Sequence, residues 1–252
     1  MDFTLKKYAS LLNTLISKGY SFQTFEQFLQ SSKEKVIVLR HDVDLKAINS
    51  LRTAQIEHSL GIKASYYFRV IPQSNQPQII KNIADLGHEI GYHYEDLSLF
   101  KGNTEQAIQH FEKQLNYFRQ FYAVKTVCMH GSPTSKIDNR SIWKEYNYRD
   151  YGLIGEPYFD IDFDKVFYIT DTGRCWDGER FSVRDKVSSS YNLHFHTTGD
   201  IIYALKNKEL PSSIMITTHP QRWTDNYVAW VKEFLSQELK NRLKYFLVKY
   251  IR

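Results

Sequence analysis

Apolar and polar residues follow two periods in the first half of the chain. Short runs of β-branched, aromatic and aliphatic residues predict buried strands, at residues 36–41, 64–71, 89–94 and 124–129. Between these runs, apolar residues recur at helical spacing and predict helices at residues 46–60, 79–86 and 104–122. Each connection is long enough to return the chain parallel to the previous strand, so the pattern predicts a parallel sheet with right-handed crossovers.

The rest of the chain extends this alternation on both sides. Helices are predicted at 5–17 and 24–30, and a closing helix, strand and helix at 199–206, 214–218 and 227–251. The segment 147–190 is less regular, with strand-like pieces at 166–170 and 181–183. We predict an α/β fold with one domain over residues 1–252, a (β/α) barrel that is distorted and possibly incomplete. Residues 1–33 are expected to form a helical extension packed on it.

The first predicted strand runs into an unusually charged segment, Arg40-His41-Asp42-Val43-Asp44. Alternation along an extended backbone places Asp42 and Asp44 on the same side, so their carboxylates can converge. Two such carboxylates either share a proton or hold a cation. The segment is equally compatible with a solvated exit from the strand.

Polar side chains also follow the other predicted strands. They are Arg69 after the second strand, His93, Glu95 and Asp96 after the third, His130 and Ser132 after the fourth, Asp171, Arg174 and Trp176 after the strand near 168, and His219 after the last. The carboxyl ends of parallel strands meet at one end of a barrel, where active sites are built. The sequence therefore predicts a site of the hydrolase type.

The residue types in this group suit a divalent metal. A carboxylate with one or two imidazoles fits zinc first, with cobalt, nickel or manganese as alternatives. Such an ion polarises a carbonyl and makes water a nucleophile at neutral pH, while a carboxylate and a histidine handle the protons. His194 and His196 alternate on one face and could form a second metal pair, although a structural role is the safer interpretation.

Composition narrows the function further. The net charge is +5, and no basic block interleaved with aromatic residues predicts a nucleic-acid interface. Aromatic residues make up 15% of the chain, a content that slightly favours carbohydrate as a partner. Two cysteines, no apolar run of about 18 residues and no apolar signal-peptide core indicate a cytoplasmic protein without a membrane span. The oligomeric state is left open.

These motifs resemble those of the polysaccharide deacetylases, the NodB-homology carbohydrate esterases, over most of the chain. RHDVD is similar to the family's first motif and GHEIGYH to its second. The resemblance implies a distorted (β/α) barrel that removes acetyl groups from N-acetylated sugars. It makes Asp42 the catalytic base, Asp44 and His93 metal ligands, and His219, in TTHP, the general acid. In ITDTGRCW, it makes Asp171 the carboxylate that orients that acid and Trp176 a wall of the sugar pocket.

Two positions depart from the family pattern. The second ligand histidine of the family lies four residues after the first, where this chain has Leu97. The third motif, which in the family carries an arginine and prolines, is replaced by Met129-His130-Gly131-Ser132-Pro133. We hypothesise that His130 supplies the missing imidazole, with Glu95 as the next candidate. The polar side chains assigned to substrate binding, together with Trp176, are Arg40, Arg69, Glu95, Ser132 and Arg174.

The expected function is therefore metal-dependent removal of an N-acetyl group from a sugar or polysaccharide precursor, in surface-polysaccharide synthesis. Leu97 and the altered third motif leave a carbohydrate-binding protein without catalytic activity as the alternative. A related barrel hydrolase that cleaves another C–N bond, such as a cyclic amide, is a third possibility.

Overall fold

A computed structural model describes residues 1–131, 135–178, 187–207 and 210–250, with side chains up to residue 242. The helices are α1 (Leu5–Ser17), α2 (Phe25–Gln30), α3 (Ala47–Ser59), α4 (Pro77–Asp85), α5 (Asp96–Leu99), α6 (Thr104–Phe118), α7 (Pro157–Asp160), α8 (Thr198–Asn207) and α9 (Tyr227–Tyr250). The strands are β1 (Ser21–Gln23), β2 (Val36–Val43), β3 (Ser65–Phe68), β4 (Glu89–Tyr94), β5 (Val127–Met129), β6 (Phe167–Thr170) and β7 (Ser213–Thr218).

The strands form one parallel sheet in the order β5-β4-β3-β2-β7-β6, and β1 adds to β2. Each strand is followed by at least one helix or short helical turn, so the predicted distorted (β/α) barrel is confirmed, as an incomplete one. β2 lies in the middle and is buried along its whole length, as its run of apolar residues predicts. The site residues on β2 therefore sit at the centre of the sheet.

The N-terminal 33 residues differ from the expected helical extension. β1 pairs in register with the first half of β2, so this segment contributes a strand to the sheet. α2 then begins with a capping box, in which Thr24 and Gln27 satisfy each other's backbone N–H groups. The predicted strand at 181–183 lies outside the described residues.

Gly91, in the centre of β4, is required by packing. A Cβ built on this residue would lie 2.4 Å from the Tyr67 ring and 2.9 Å from the Thr126 carbonyl oxygen. Only glycine lets β4 approach these neighbours so closely. Gly91 thus holds β4, which carries His93, against β3 and β5.

A buried polar network lies behind β2. Glu57 of α3 is the acceptor at its centre: Oε1 lies 2.8 Å from His41 Nε2, and Tyr66 OH donates to Oε2 at 2.8 Å. Tyr8 OH donates to Oε1 at 2.5 Å, and all four residues are fully buried. Burial favours the neutral form of Glu57, but His41 outweighs it, so the pKa of Glu57 is lowered. The network ties α1 and α3 to the back of the strand that carries Asp42.

Candidate metal centre

Asp42 is held by an arginine of its own strand. Arg40 Nε donates to Asp42 Oδ1 at 2.8 Å, and Arg40 Nη2 donates to Oδ2 at 2.6 Å. Arg40 is 0% exposed and its guanidinium positions Asp42, while its role in substrate binding stays a prediction. Burial alone would raise the pKa of Asp42, but Arg40 and His93 lower it further than burial raises it. Asp42 is therefore ionised at neutral pH.

Three histidines surround Asp44, which follows β2 directly. Its Oδ1 lies 3.6 Å from His93 Nε2 and 3.5 Å from His130 Nε2, and its Oδ2 lies 3.9 Å from His219 Nε2. Oδ1 is buried and has no hydrogen-bond partner among the described residues. A buried carboxylate oxygen without a donor is costly unless a cation completes it.

His93 reaches this point from β4. Its Nδ1 lies 2.9 Å from the Cys128 carbonyl oxygen on the neighbouring strand β5, which leaves Nε2 toward Asp44. Burial has the largest effect on the pKa of His93 and lowers it; Asp42 and Asp44 raise it, and His130 lowers it further. The net pKa lies below its ordinary value, so the imidazole is neutral. A neutral imidazole with its second nitrogen bound to a carbonyl is the form in which histidine binds metals.

His130 reaches the same point from the end of β5. Its Nδ1 lies 2.8 Å from Glu95 Oε2, and its backbone N–H donates to the Tyr94 carbonyl at 2.8 Å. Arg69 Nε donates to the other oxygen of Glu95 at 2.9 Å. Both oxygens of Glu95 are thus engaged, and Glu95 orients His130. Its roles as a ligand and as a substrate contact stay predictions.

Arg69 is partly exposed, with 17% of its side chain accessible, and its role in substrate binding stays a prediction. Burial would raise the pKa of Glu95, but His130 and Arg69 lower it to about 2. Ser132 lies outside the described residues.

The spacing of these donors fits a tetrahedral ion. Ligand bonds of about 2.0–2.2 Å at tetrahedral angles separate donor atoms by roughly 3.3–3.6 Å. The distances of 3.5 and 3.6 Å from Asp44 Oδ1 to the two imidazoles match this separation. Leu97 is 4% exposed and packs in the hydrophobic core, so it lies among apolar side chains.

A second set of donor atoms, from Asp42, His93 and Cys128, lies within 4.8 Å of one another. We prefer the set around Asp44, because both oxygens of Asp42 already accept hydrogen bonds from the positively charged Arg40. That charge opposes a cation at Asp42.

His219 faces Asp44 from the opposite side of the site, at the end of β7. Its Nδ1 lies 2.6 Å from Asp171 Oδ1, and its backbone N–H donates to the same carboxylate at 3.1 Å. Burial and Arg222 lower the pKa of His219, but Asp171 and Asp44 outweigh them and raise it above its ordinary value. His219 is therefore poised to carry a proton.

Sequence reasoning missed two residues that hold this pair. Arg222 Nη1 donates to Asp171 Oδ1 at 2.6 Å, and Trp223 Nε1 donates to Oδ2 at 2.8 Å. The signal was present in the segment HPQRW, because Arg222 lies three residues after His219 in a 3-10 turn. Gln221 of the same turn was also missed, and its Nε2 donates to Asp44 Oδ2 at 3.3 Å.

Two predicted substrate contacts, Trp176 and Arg174, pack against other parts of this chain. Trp176 is 5% exposed and packs against Phe3 and Trp223, and its Nε1 donates to Thr198. Arg174 lies with its guanidinium 4.6 Å from the centre of the Trp230 ring and 5.2 Å from that of Phe3. These contacts pack both side chains against other parts of this chain, and their role in substrate binding stays a prediction.

Glu156 is a buried acid near the site. It directly follows Gly155, which forms a parallel β-bridge with Thr126, the residue before β5. Its two oxygens accept hydrogen bonds from the backbone of Met129 and Tyr158. Burial raises the pKa of Glu156 from 4.5 to about 7, although these bonds and Arg40 oppose the shift.

This shift predicts a pH dependence of stability. The folded state keeps the proton of Glu156 up to about pH 7, while the unfolded state loses it near 4.5. Stability should therefore fall as pH rises between these values, by an amount on the order of 3 kcal/mol for this group. Denaturant unfolding at pH 4.5–8 should show that Glu156→Gln removes this part of the slope. Glu112→Gln, at an exposed acid, should keep it; equal slopes in both variants would contradict the assignment.

His194 and His196 do not converge on a shared donor set. His194 Nε2 lies 2.9 Å from Asn192 Oδ1, and His196 Nδ1 lies 2.9 Å from Asp177 Oδ1, both at exposed positions. The structural interpretation of this pair is thus the better one. None of the described helices is both long and apolar enough to cross a bilayer.

No protein-family model and no curated protein matches the chain. Among solved structures, a CE4 esterase from Streptococcus mutans is 10% identical with a TM-score of 0.46, covering 88% of this chain and 84% of that one. Bacillus subtilis PdaA, a family 4 carbohydrate esterase, is 14% identical with a TM-score of 0.42, covering 91% and 83%.

A CE4 family pseudoenzyme from Bacillus anthracis is 13% identical with a TM-score of 0.42, covering 84% of this chain. The chain spans 62% of that protein's length, less than two thirds of it. The solved structures that resemble this chain are thus CE4 family carbohydrate esterases, pseudoenzymes among them. Because the identities and TM-scores are low, the case for the site rests on its own side chains.

Proposed function

We propose that this protein is a metal-dependent hydrolase that removes an N-acetyl group from a sugar or polysaccharide precursor. The observation that carries the proposal is the buried Oδ1 of Asp44, which lies near the Nε2 atoms of His93 and His130 and has no hydrogen-bond partner in the described part of the chain. With His219 facing it, this group combines a cation site with a proton donor, as amide hydrolysis requires.

Asp44, His93 and His130 would hold the ion, with zinc the first candidate from the mixed oxygen and nitrogen donors. The bound ion would supply Lewis acidity, which polarises the acetyl carbonyl and acidifies a water molecule. Glu95 keeps the His130 ring oriented, and the Cys128 carbonyl does the same for His93.

Two groups can transfer protons: the Asp42 carboxylate, and the His219 imidazole that is hydrogen-bonded to Asp171. Asp42 is ionised and lies with its Oδ2 3.7 Å from His93 Nε2, so it can accept the proton of the attacking water. His219, oriented by Asp171, can donate a proton from Nε2 to the departing nitrogen. Water adds to the carbonyl carbon, the C–N bond breaks, and the products are acetate and the free amino sugar.

The test is acetate release from a panel of N-acetyl sugars in the presence of zinc or cobalt. Asp42→Asn should reduce the rate by roughly 10²–10⁴ while the fold is kept, because a general base contributes about this factor. Asp150→Asn, at an exposed carboxylate, is the matched control and should keep full activity. Sugar binding that survives chelation, without acetate release by the wild type, would instead indicate a binding protein without catalytic activity.

We place the reaction in the cytoplasm, on a precursor of a surface polysaccharide. The chain has two cysteines, too few to imply a disulfide framework, and this is consistent with a reducing compartment.

A further inference from the structure

A basic cleft opens beside the candidate metal centre, between the first turns of α3 and α9. It has a volume of about 430 Å³, and its lining includes Lys46, Asn49, Arg52, Gln221, Asn226 and Lys232. Three of these six side chains are cationic, and no acidic side chain is among the described residues that line it. The cleft is therefore a surface suited to an anion.

The cations differ in their availability. Lys46 Nζ is paired with Glu233 Oε2 at 2.8 Å, so its charge is partly compensated. Arg52 and Lys232 are exposed, and neither forms an ion pair with another described residue. Two cations without an ion-pair partner among the described residues border the same cleft, so an anion bound there would be attracted to both.

Both helices that border the cleft begin there. α3 starts directly after Lys46, which has no side-chain cap bond, and the first turns of α9 contribute Val228 and Ala229 to the lining. Asn226 Oδ1 accepts a bond from the backbone N–H of Ala229. Helix starts carry a partial positive charge, which favours an anion such as phosphate. The N–H groups of Ala47, Asn49 and Ala229 are already bound within the chain, so the contribution of the helix starts is this charge.

Gln221 connects the cleft to the metal centre. It is 6% exposed, its Nε2 donates to Asp44 Oδ2 at 3.3 Å, and its Oε1 is buried without a partner among the described residues. An acceptor left open in this position can bind an N–H or O–H group of a molecule that spans from the cleft to Asp44. Gln221 thus gives independent support for a ligand that occupies both places.

We infer that the basic cleft is a subsite for a phosphate group carried by the N-acetylated sugar on which the metal centre acts. The inference rests on the proposed function for the identity of the sugar, and on the cleft alone for the phosphate. Arg52 and Lys232 bind the phosphate oxygens, the helix starts add their partial positive charge, and Gln221 accepts from the sugar. The acetamido group then reaches Asp44.

The phosphate part can be tested without any activity. Inorganic phosphate and N-acetylglucosamine 1-phosphate should bind the full chain in titration calorimetry, both with zinc and after chelation. Arg52→Gln/Lys232→Gln should raise both dissociation constants by roughly tenfold or more, because charge-assisted hydrogen bonds are lost. Lys81→Gln/Lys113→Gln, which removes two exposed lysines on α4 and α6, should leave them unchanged.

Two results would overturn the inference. One is phosphate binding that requires zinc and is equal in both double variants, which would assign the anion to the metal. The other is the absence of phosphate binding by the wild type.

The sugar part needs activity. N-acetylglucosamine 1-phosphate should have a KM at least about tenfold below that of N-acetylglucosamine, and Arg52→Gln/Lys232→Gln should remove this difference. Equal KM values in the wild type would overturn the substrate assignment. Phosphate binding without acetate release from either sugar would contradict the proposed function while leaving the phosphate site in place.

Discussion

Asp44→Asn is expected to leave the purified protein without zinc and to reduce acetate release more than about 100-fold. Partners that merely orient a metal ligand contribute about 10–100-fold to affinity or activity, so a ligand itself should contribute more. An amide at this position has no charge to offset the ion and is a weaker ligand than a carboxylate. Elemental analysis and an acetate assay measure the two effects, with Asp150→Asn as the control.

The alternative donor set, from Asp42, His93 and Cys128, predicts a different zinc content for this variant. Stoichiometric zinc in Asp44→Asn would contradict the assignment and would favour the atoms of Asp42, His93 and Cys128. Cys128→Ala then separates the two sets, because it removes a donor from the second and none from the first. We expect Cys128→Ala to keep its zinc and His130→Ala to lose it.

Glu57→Ala is expected to produce the largest loss of stability, about 3–5 kcal/mol in the free energy of unfolding. The change removes the acceptor of Tyr8 and Tyr66 and the partner of His41, all of them buried. The Tyr8 hydroxyl and His41 Nε2 would lose their closest partner, the Tyr66 hydroxyl would keep its contact with the Thr53 hydroxyl at 3.1 Å, and a cavity would remain behind β2. Urea unfolding followed by circular dichroism measures the difference.

Two further variants should give smaller losses of stability. Tyr66→Phe removes one hydroxyl from the network and should cost about 1–2 kcal/mol. Glu112→Ala, on the exposed face of α6, should stay within about 0.5 kcal/mol of the wild type. Equal stability of Glu57→Ala and Glu112→Ala would show that the network does not stabilise the fold.

The resemblance predicted the roles of Asp44 and His93, and the prediction for His130 started from the absence of a histidine at position 97. The pairing of β4 with β5 gives a physical reason for that substitution. His93 lies opposite Cys128 in the sheet, so the residue two places after Cys128 reaches the same end of the sheet as His93. His130, on the adjacent strand, can therefore lie where the family resemblance places the imidazole of a histidine at position 97.

The predictions of substrate contact share one basis. Arg40, Glu95, Arg174 and Trp176 are assigned to substrate because they are polar or aromatic side chains at the ends of predicted strands. Each also contacts a residue of this chain: Asp42, His130, Trp230 and Thr198, respectively. Three of these four contacts join residues at least 22 positions apart, so no local pattern in the sequence could reveal them.

The sequence by itself determined the alternation of strands and helices and the end of the sheet where the site lies. Local periodicity and the direction of parallel strands are properties of neighbouring residues, and they are readable without a structure. Only the tertiary structure decided which of the predicted polar side chains meet at Asp44 and which support them. It also decided that Gln221 connects Asp44 to the basic cleft between α3 and α9, because packing between distant elements sets those contacts.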